Sequence, residues 1–413
     1  MRIRLFAFVG TIVFLFTPLC VANDDSGSSG FDDFLRAHAK AIGSHERDSL
    51  LDAFWQNAKR RGVPYLAGNK TDAVFLYRGA DSVRLIGDFT SWTFRIPMRR
   101  LVNSDLWYLK LTFEPDARLD YKFDVGRRGL ILDPNNPRIA PTGYGDNSEL
   151  AMPDFVAAPE FKETAKVAKG TLLSIDVASK VLGYEHKVLV YFPAGYESGD
   201  ARYATAYFQD GSEYTDLGKT PLILDNLIAS HAIAPVIAVF VVPPVGEKRN
   251  RMTEYGMSKS YERFFTTELI PLIDKKYRTD PNASSRLVVG ASFGGLISLN
   301  IAFNNPELIG NVASQSGFVS FRNDTLINLF AQSSAKPLRI YFSIGTYEKN
   351  IGSTLLKQRE TNFLAANRRF NKTLEQRQYQ FRYREFRDGH SWARWRTDLP
   401  NIFRWFFPAG ETN

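Results

Sequence analysis

Cysteine is nearly absent: the 413-residue chain has one, Cys20. A disulfide framework is excluded, and a chain of this length has room for two domains and enough core to need none. Long apolar runs are also lacking. The run Leu5 to Leu19 falls short of the roughly 20 residues that a membrane-spanning helix needs. The chain carries a formal charge of +8, yet no basic run with interleaved aromatics. A nucleic-acid partner is therefore not expected, and the dispersed surplus reads as a solvated basic surface that attracts anions through its field.

What is present at the N-terminus has the pattern of a secretory signal peptide over residues 1–22. Arg2 and Arg4 precede the apolar run, and Cys20-Val21-Ala22 offers a small-residue cleavage site before Asn23. The expectation is a periplasmic or secreted protein with no stable membrane span after cleavage. Loss of Arg2 and Arg4, with no acidic residue before Asp24, leaves +6. It also leaves no cysteine, which excludes a metal-thiolate site and a cysteine nucleophile.

The next segment, residues 23–71, begins with NDDSGSSG, a composition that buries nothing. A helical arm follows. Phe31, Phe34, Leu35, His38 and Ile42 recur at helical spacing, as do Leu50, Leu51, Phe54 and Trp55 further on. These stripes are expected to dock on a domain. Residues 72–155 then carry short alternating runs, AVFLYRG, SVRLIGDF, LWYLKLTF and LDYKFDV, the signature of an all-β sandwich. Residues 133–153 are rich in Pro, Gly and Asn and read as an extended connector. Trp92 and Trp107 are read as sandwich core rather than as a stacking surface for a ligand.

Residues 160–413 change character again. Apolar strands such as VIAVFVV alternate with helix patterns, the mark of a doubly wound α/β sheet covered on both faces. Within it Leu287 to Val289 is a strand, Gly290-Ala291-Ser292-Phe293-Gly294 a sharp turn, and Leu296 to Phe303 a helix. G-x-S-x-G between strand and helix presents the serine hydroxyl on a strained corner, the α/β-hydrolase arrangement.

A serine hydroxyl needs a base, and the base an orienting acid. Of five histidines only His390 follows Ser292. It lies in RDGHSWARW, the loop after the strand YQFRYREF. The acid is expected from a loop between the two, and Glu348 stands three residues beyond Gly345 at the end of LRIYFSIG. Asp388 is the alternative, and a Ser-His dyad stays open. The oxyanion donors are expected to be the N–H of Phe293 and a second from Gln209 to Glu213, with Gly211 the candidate. Arg249, Arg251 and Glu254, on the loop after VIAVFVVPP, and Trp392, Arg394, Trp395 and Arg396, after His390, could contact an anionic aromatic ligand. Arg251, Glu254 and Trp392 are the substrate-binding candidates.

Taken in order, GASFGG, EKRNRMTEYG with FFTTELIPLIDKKY, SIGTYE and GHSWARW resemble the enterochelin esterase family of α/β-hydrolases, to which feruloyl and acetylxylan esterases are related. FLYRGADSVRLIGDF, LDPNNP and GDNSELAMP are similar to that family's immunoglobulin-like N-terminal domain. The resemblance implies hydrolysis of catecholate siderophore esters, with no cofactor, by Ser292, His390 and Glu348. It departs in two respects, the signal peptide and the helical arm. A carbohydrate esterase and a binding protein that has lost turnover are the competing expectations; the acyl group, the alcohol and the oligomeric state are not legible.

Overall fold

The computed structural model describes residues 30–244, 251–351 and 361–410. The signal-peptide reading, Cys20, Arg249 and Leu355 lie outside the described residues.

The arm is two helices, Gly30–Lys40 and Ser44–Arg61. Phe31, Phe34, Phe54 and Trp55 pack with Val74, Leu76 and Leu106, which belong to the sandwich, so the apolar stripes are buried as amphipathicity requires. His38 is buried with them, whereas Ile42, expected in the stripe, is 95% exposed because the first helix ends two residues earlier.

Two antiparallel sheets form the sandwich. One contains Asp72–Arg78 paired with Leu106–Thr112; the other has Arg118–Val125 between Val83–Gly87 and Asn147–Ala151. Phe75 and Tyr77 of the first meet Leu85, Tyr121 and Phe123 of the second in one core. The expectation of an extended connector without a strand over 133–153 is corrected. Ser148 and Leu150 alternate inward, and that period of two makes Asn147–Ala151 a strand despite the Pro-rich sequence before it. Trp107 packs against the sandwich core and donates to the Gly79 carbonyl at 3.1 Å.

The large sheet has eight strands. Its spatial order is Thr171–Ala178, Glu185–Phe192, Val236–Val241, Ala204–Phe208, Arg286–Ala291, Asn311–Gln315, Arg339–Gly345 and Gln380–Phe386. The first two pairings are antiparallel and the rest parallel. Val236–Val241 and Arg286–Ala291 are buried along their whole length, as expected of parallel strands with helices on both faces. The amphipathic helix expected from Leu355 to Phe370 is Phe363–Gln376 over the described residues; Asn362 caps it by accepting from the Ala365 N–H. The last helix, Trp392–Phe406, is capped in the same way by Ser391.

In a doubly wound sheet the carboxyl ends of the parallel strands form one edge, where ligands bind. Ser292, Ser316, Glu348 and His390 all follow such ends.

Candidate active site

Ser292 sits between the Arg286–Ala291 strand and the Phe293–Asn304 helix at φ 58°, ψ −118°. That is a strained backbone for a side-chain-bearing residue, maintained only where the surroundings over-determine it. They do so here. The Ser292 N–H donates to the Gln315 carbonyl at 2.9 Å, and its own carbonyl accepts from Phe318 N–H at 3.0 Å. A Cβ on Gly290 would lie 2.2 Å from the Gly294 backbone, so only glycine lets the turn close. One on Gly295 would lie 2.5 Å from Ser314 Oγ.

Glu348 and His390 meet as expected. Glu348 is fully buried, and its Oε2 lies 2.6 Å from His390 Nδ1. Its Oε1 accepts from Ser316 Oγ at 2.6 Å and from Gly345 N–H at 2.8 Å. Ser316 in turn accepts from Trp395 Nε1 at 2.8 Å, which directs the Ser316 hydroxyl proton at the carboxylate. His390 packs edge-on against Trp395 and Phe363, and Phe363 stacks on Phe318, which touches Phe293. An unbroken set of rings thus joins the histidine to the elbow. The imidazole retains 20% exposure, enough to face a ligand.

Phe293 opens its helix and Gly211 opens the Gly211–Asp216 helix, so neither N–H has an intrahelical acceptor. A Cβ on Gly211 would lie 2.6 Å from the Phe240 backbone, the close approach that its sequence suggested. The preceding Asp210 is pinned to the elbow. Its carboxylate pairs with Arg251 at 2.5 and 2.8 Å, and the same guanidinium donates to the Ala291 carbonyl at 3.0 Å. Arg251 therefore ties the loop bearing Gly211 to the residue before Ser292, while 31% of its side chain stays open to solvent.

The other two substrate-binding expectations are corrected. Glu254 is buried and takes Tyr184 Oη and His186 Nε2 at 2.6 and 2.9 Å, so it holds a helix to the sheet. Trp392 is buried edge-on against Tyr214 and Trp395, filling the space beneath the last helix.

Asp388, the alternative acid, points away from His390. Its Oδ1 accepts from Gly389 N–H at 2.8 Å and Ser391 Oγ at 3.1 Å, and Arg118 of the sandwich lies 3.6 Å off. Burial, aided by the Asp120 charge, pushes its carboxyl up to about 7 against the pull of Arg118 and Arg394. The folded chain therefore holds this proton while the unfolded chain has released it near 4. The resulting stability is complete below pH about 4 and is lost as pH climbs through about 7. Melting curves of wild type and Asp388→Asn between pH 5 and 7 are expected to diverge in favour of the variant by about 2 kcal/mol. A difference in Tm that is independent of pH contradicts this.

A serine on a strand-to-helix elbow, a buried acid on a histidine and two helix-start N–H groups on such a sheet are the arrangement of a serine hydrolase of the α/β-hydrolase class. The family model described as "Putative esterase" matches residues 179–406, and the chain belongs to that family, hydrolases of carboxylic esters. It is 31% identical over 228 residues, 55% of this chain and 93% of the other, to the uncharacterized protein YjcH of Bacillus subtilis. It is 23% identical over 417 residues to an iron(III) enterobactin esterase of Dickeya dadantii, covering 87% of this chain and 94% of that one. The crystal structure of ferric enterobactin esterase from Salmonella typhimurium superposes at TM-score 0.71 with 19% identity. The match covers 86% of this chain and 98% of the other, more than the large sheet and its helices alone, so most of the fold is shared.

Proposed function

We propose that this protein is an exported serine esterase that cleaves ester bonds of a catecholate siderophore through an acyl-enzyme on Ser292. The observation that carries the mechanism is the His390–Glu348 contact of 2.6 Å on loops beside the strained elbow. Glu348 accepts from Nδ1, which leaves Nε2 free to take the Ser292 proton as Oγ attacks the ester carbonyl. The negative charge formed on that carbonyl oxygen is received by the N–H groups of Phe293 and Gly211, already oriented by the helix start and by the Arg251–Asp210 clamp. Collapse expels the alcohol, which takes the proton back from His390. A water molecule then repeats the sequence and releases the acid. The chemistry calls for no cofactor.

The substrate class rests on the iron(III) enterobactin esterase relative, aligned over most of both chains, and on Arg251, a cation at the carboxyl edge whose side chain keeps 31% exposure and whose charge suits an anionic aryl group. Export rests on the charged start, apolar run and small-residue site of residues 1–22. The test is to isolate the protein from the periplasm or medium, with Asn23 expected as its first residue, and to compare a ferric catecholate trilactone with a feruloylated oligosaccharide. The trilactone is expected to have a kcat/KM at least about 100-fold higher. The reverse preference identifies a carbohydrate esterase, and wild-type inactivity on both supports a binding protein.

A further inference from the structure

The His390 loop is held by the sandwich as well as by its own sheet. Arg118 is buried in the sandwich with 1% exposure. Its backbone N–H donates to the Arg387 carbonyl at 2.9 Å, and its Nη1 donates to Ser391 Oγ at 3.1 Å. The guanidinium is itself fixed by Asp120 at 2.6 Å and by Glu149, which receives Nε at 2.9 Å and Nη2 at 2.8 Å. Arg118 thus grips the residues three before and one after His390.

Between those grips the loop has a second contact. Gly389 lies so close to Asp88 that a Cβ there would come within 2.1 to 2.4 Å of all three carboxyl atoms. Asp88 cannot retreat, since it accepts from Asp120 N–H at 2.7 Å and from Trp92 Nε1 at 2.9 Å. On the opposite side the loop leans on the acid's turn. Tyr347 N–H donates to the Asp388 carbonyl at 3.2 Å, and Gly345 admits that carbonyl where a Cβ would be 2.2 Å away. Tyr347 also donates its hydroxyl to Glu114 of the sandwich at 2.6 Å.

We infer that Arg118 and Asp88, two buried residues of the sandwich, are positioning residues for the esterase reaction: they set the height of the His390 loop over Ser292. This rests on His390 being the base. A loop of five residues, hydrogen-bonded at Arg387 and Ser391 and packed on Asp88 at Gly389, is constrained on both sides of its histidine. A displacement near 1 Å costs about 100-fold in rate. The sandwich then contributes to turnover rather than only to substrate capture, and its removal would leave the histidine loop held on one side.

The experiment is a rescue. In full-length protein, Gly389→Ala is expected to lower kcat about 100-fold on a small aryl ester such as 4-nitrophenyl acetate, with KM within threefold. Asp88→Ala removes the three atoms that the new methyl would strike. Asp88→Ala alone loses only the contact and is expected to lower kcat about tenfold, and the double variant is expected to return to that level rather than stay at the 100-fold loss of Gly389→Ala. Arg118→Lys keeps the charge but loses the forked grip, and is expected to lower kcat about tenfold with KM unchanged. Ser292→Ala in the same assay tests the underlying mechanism separately. The inference is overturned if Gly389→Ala keeps kcat within twofold of wild type, or if the folded double variant stays as slow as Gly389→Ala. It is likewise overturned if the loss appears in KM alone.

Discussion

Ser292→Ala is expected to lower kcat by roughly a million-fold while leaving KM within a few-fold of wild type. The hydroxyl is the group whose oxygen would bond to the acyl carbon, and nothing else at the elbow can replace it. Phe293 and Gly295 bring no nucleophile, and Ser316 has its proton committed to Glu348. Binding and the two backbone donors survive the substitution, so a residual rate of about 10³ to 10⁴ over water is expected to persist. A single-turnover assay that traps the acyl-enzyme in wild type and finds none in the variant checks the covalent step. Activity within tenfold of wild type sinks the mechanism.

Glu348→Gln is expected to cost about 10⁴-fold in kcat with little change in fold or KM. The reason is the direction of the hydrogen bonds. Trp395 donates to Ser316 and Ser316 donates to Oε1, which also accepts from Gly345 N–H. In the glutamine variant the carbonyl oxygen must occupy that place, because an NH₂ there would face two donors. The amide nitrogen then faces His390 Nδ1, which must become an acceptor. Its proton moves to Nε2, the atom that has to receive the proton of Ser292. The side-chain volume is unchanged, so thermal melting is expected to shift far less than kcat does. A variant that keeps more than a tenth of wild-type kcat argues for a Ser-His dyad. Glu348→Asp, which retains the charge and withdraws it by one methylene, is expected to fall between the two.

Much of this centre is legible in the amino-acid sequence. Gly290 and Gly294 flank Ser292 between a strand and a helix. Both are glycine because the backbones touch there, so the turn carries its own explanation. Chain order singles out His390, and a place just past a strand end singles out Glu348; the structure brings the two side chains to 2.6 Å. Arg251 was singled out for its place on a loop at the carboxyl edge, yet its partner was not legible. Asp210 is 41 residues away in sequence and adjacent only because two strands lie side by side. Glu254 and Trp392 were misread for a related reason. Charge and aromaticity suit a ligand, but the side of a short helix that faces inward depends on how it docks.

Ser316 and Arg118 gave no signal of their own. A serine after a strand and an arginine in an alternating strand are unremarkable in composition. Their roles arise from contacts with Glu348 and with Ser391, the latter 273 residues distant from Arg118.

By itself the sequence determined the parts whose chemistry is local: a strained serine turn enforced by missing Cβ atoms, the alternation of strand and helix, and a single histidine downstream of the serine. Only the tertiary structure decided which carboxylate faces that histidine and which one is turned away toward Arg118. Both Glu348 and Asp388 are buried acids near His390 in sequence or space, and choosing between them requires knowing where each finds its hydrogen-bond donors. Those donors come from three different strand ends and from a separate sandwich, and only folding brings them together.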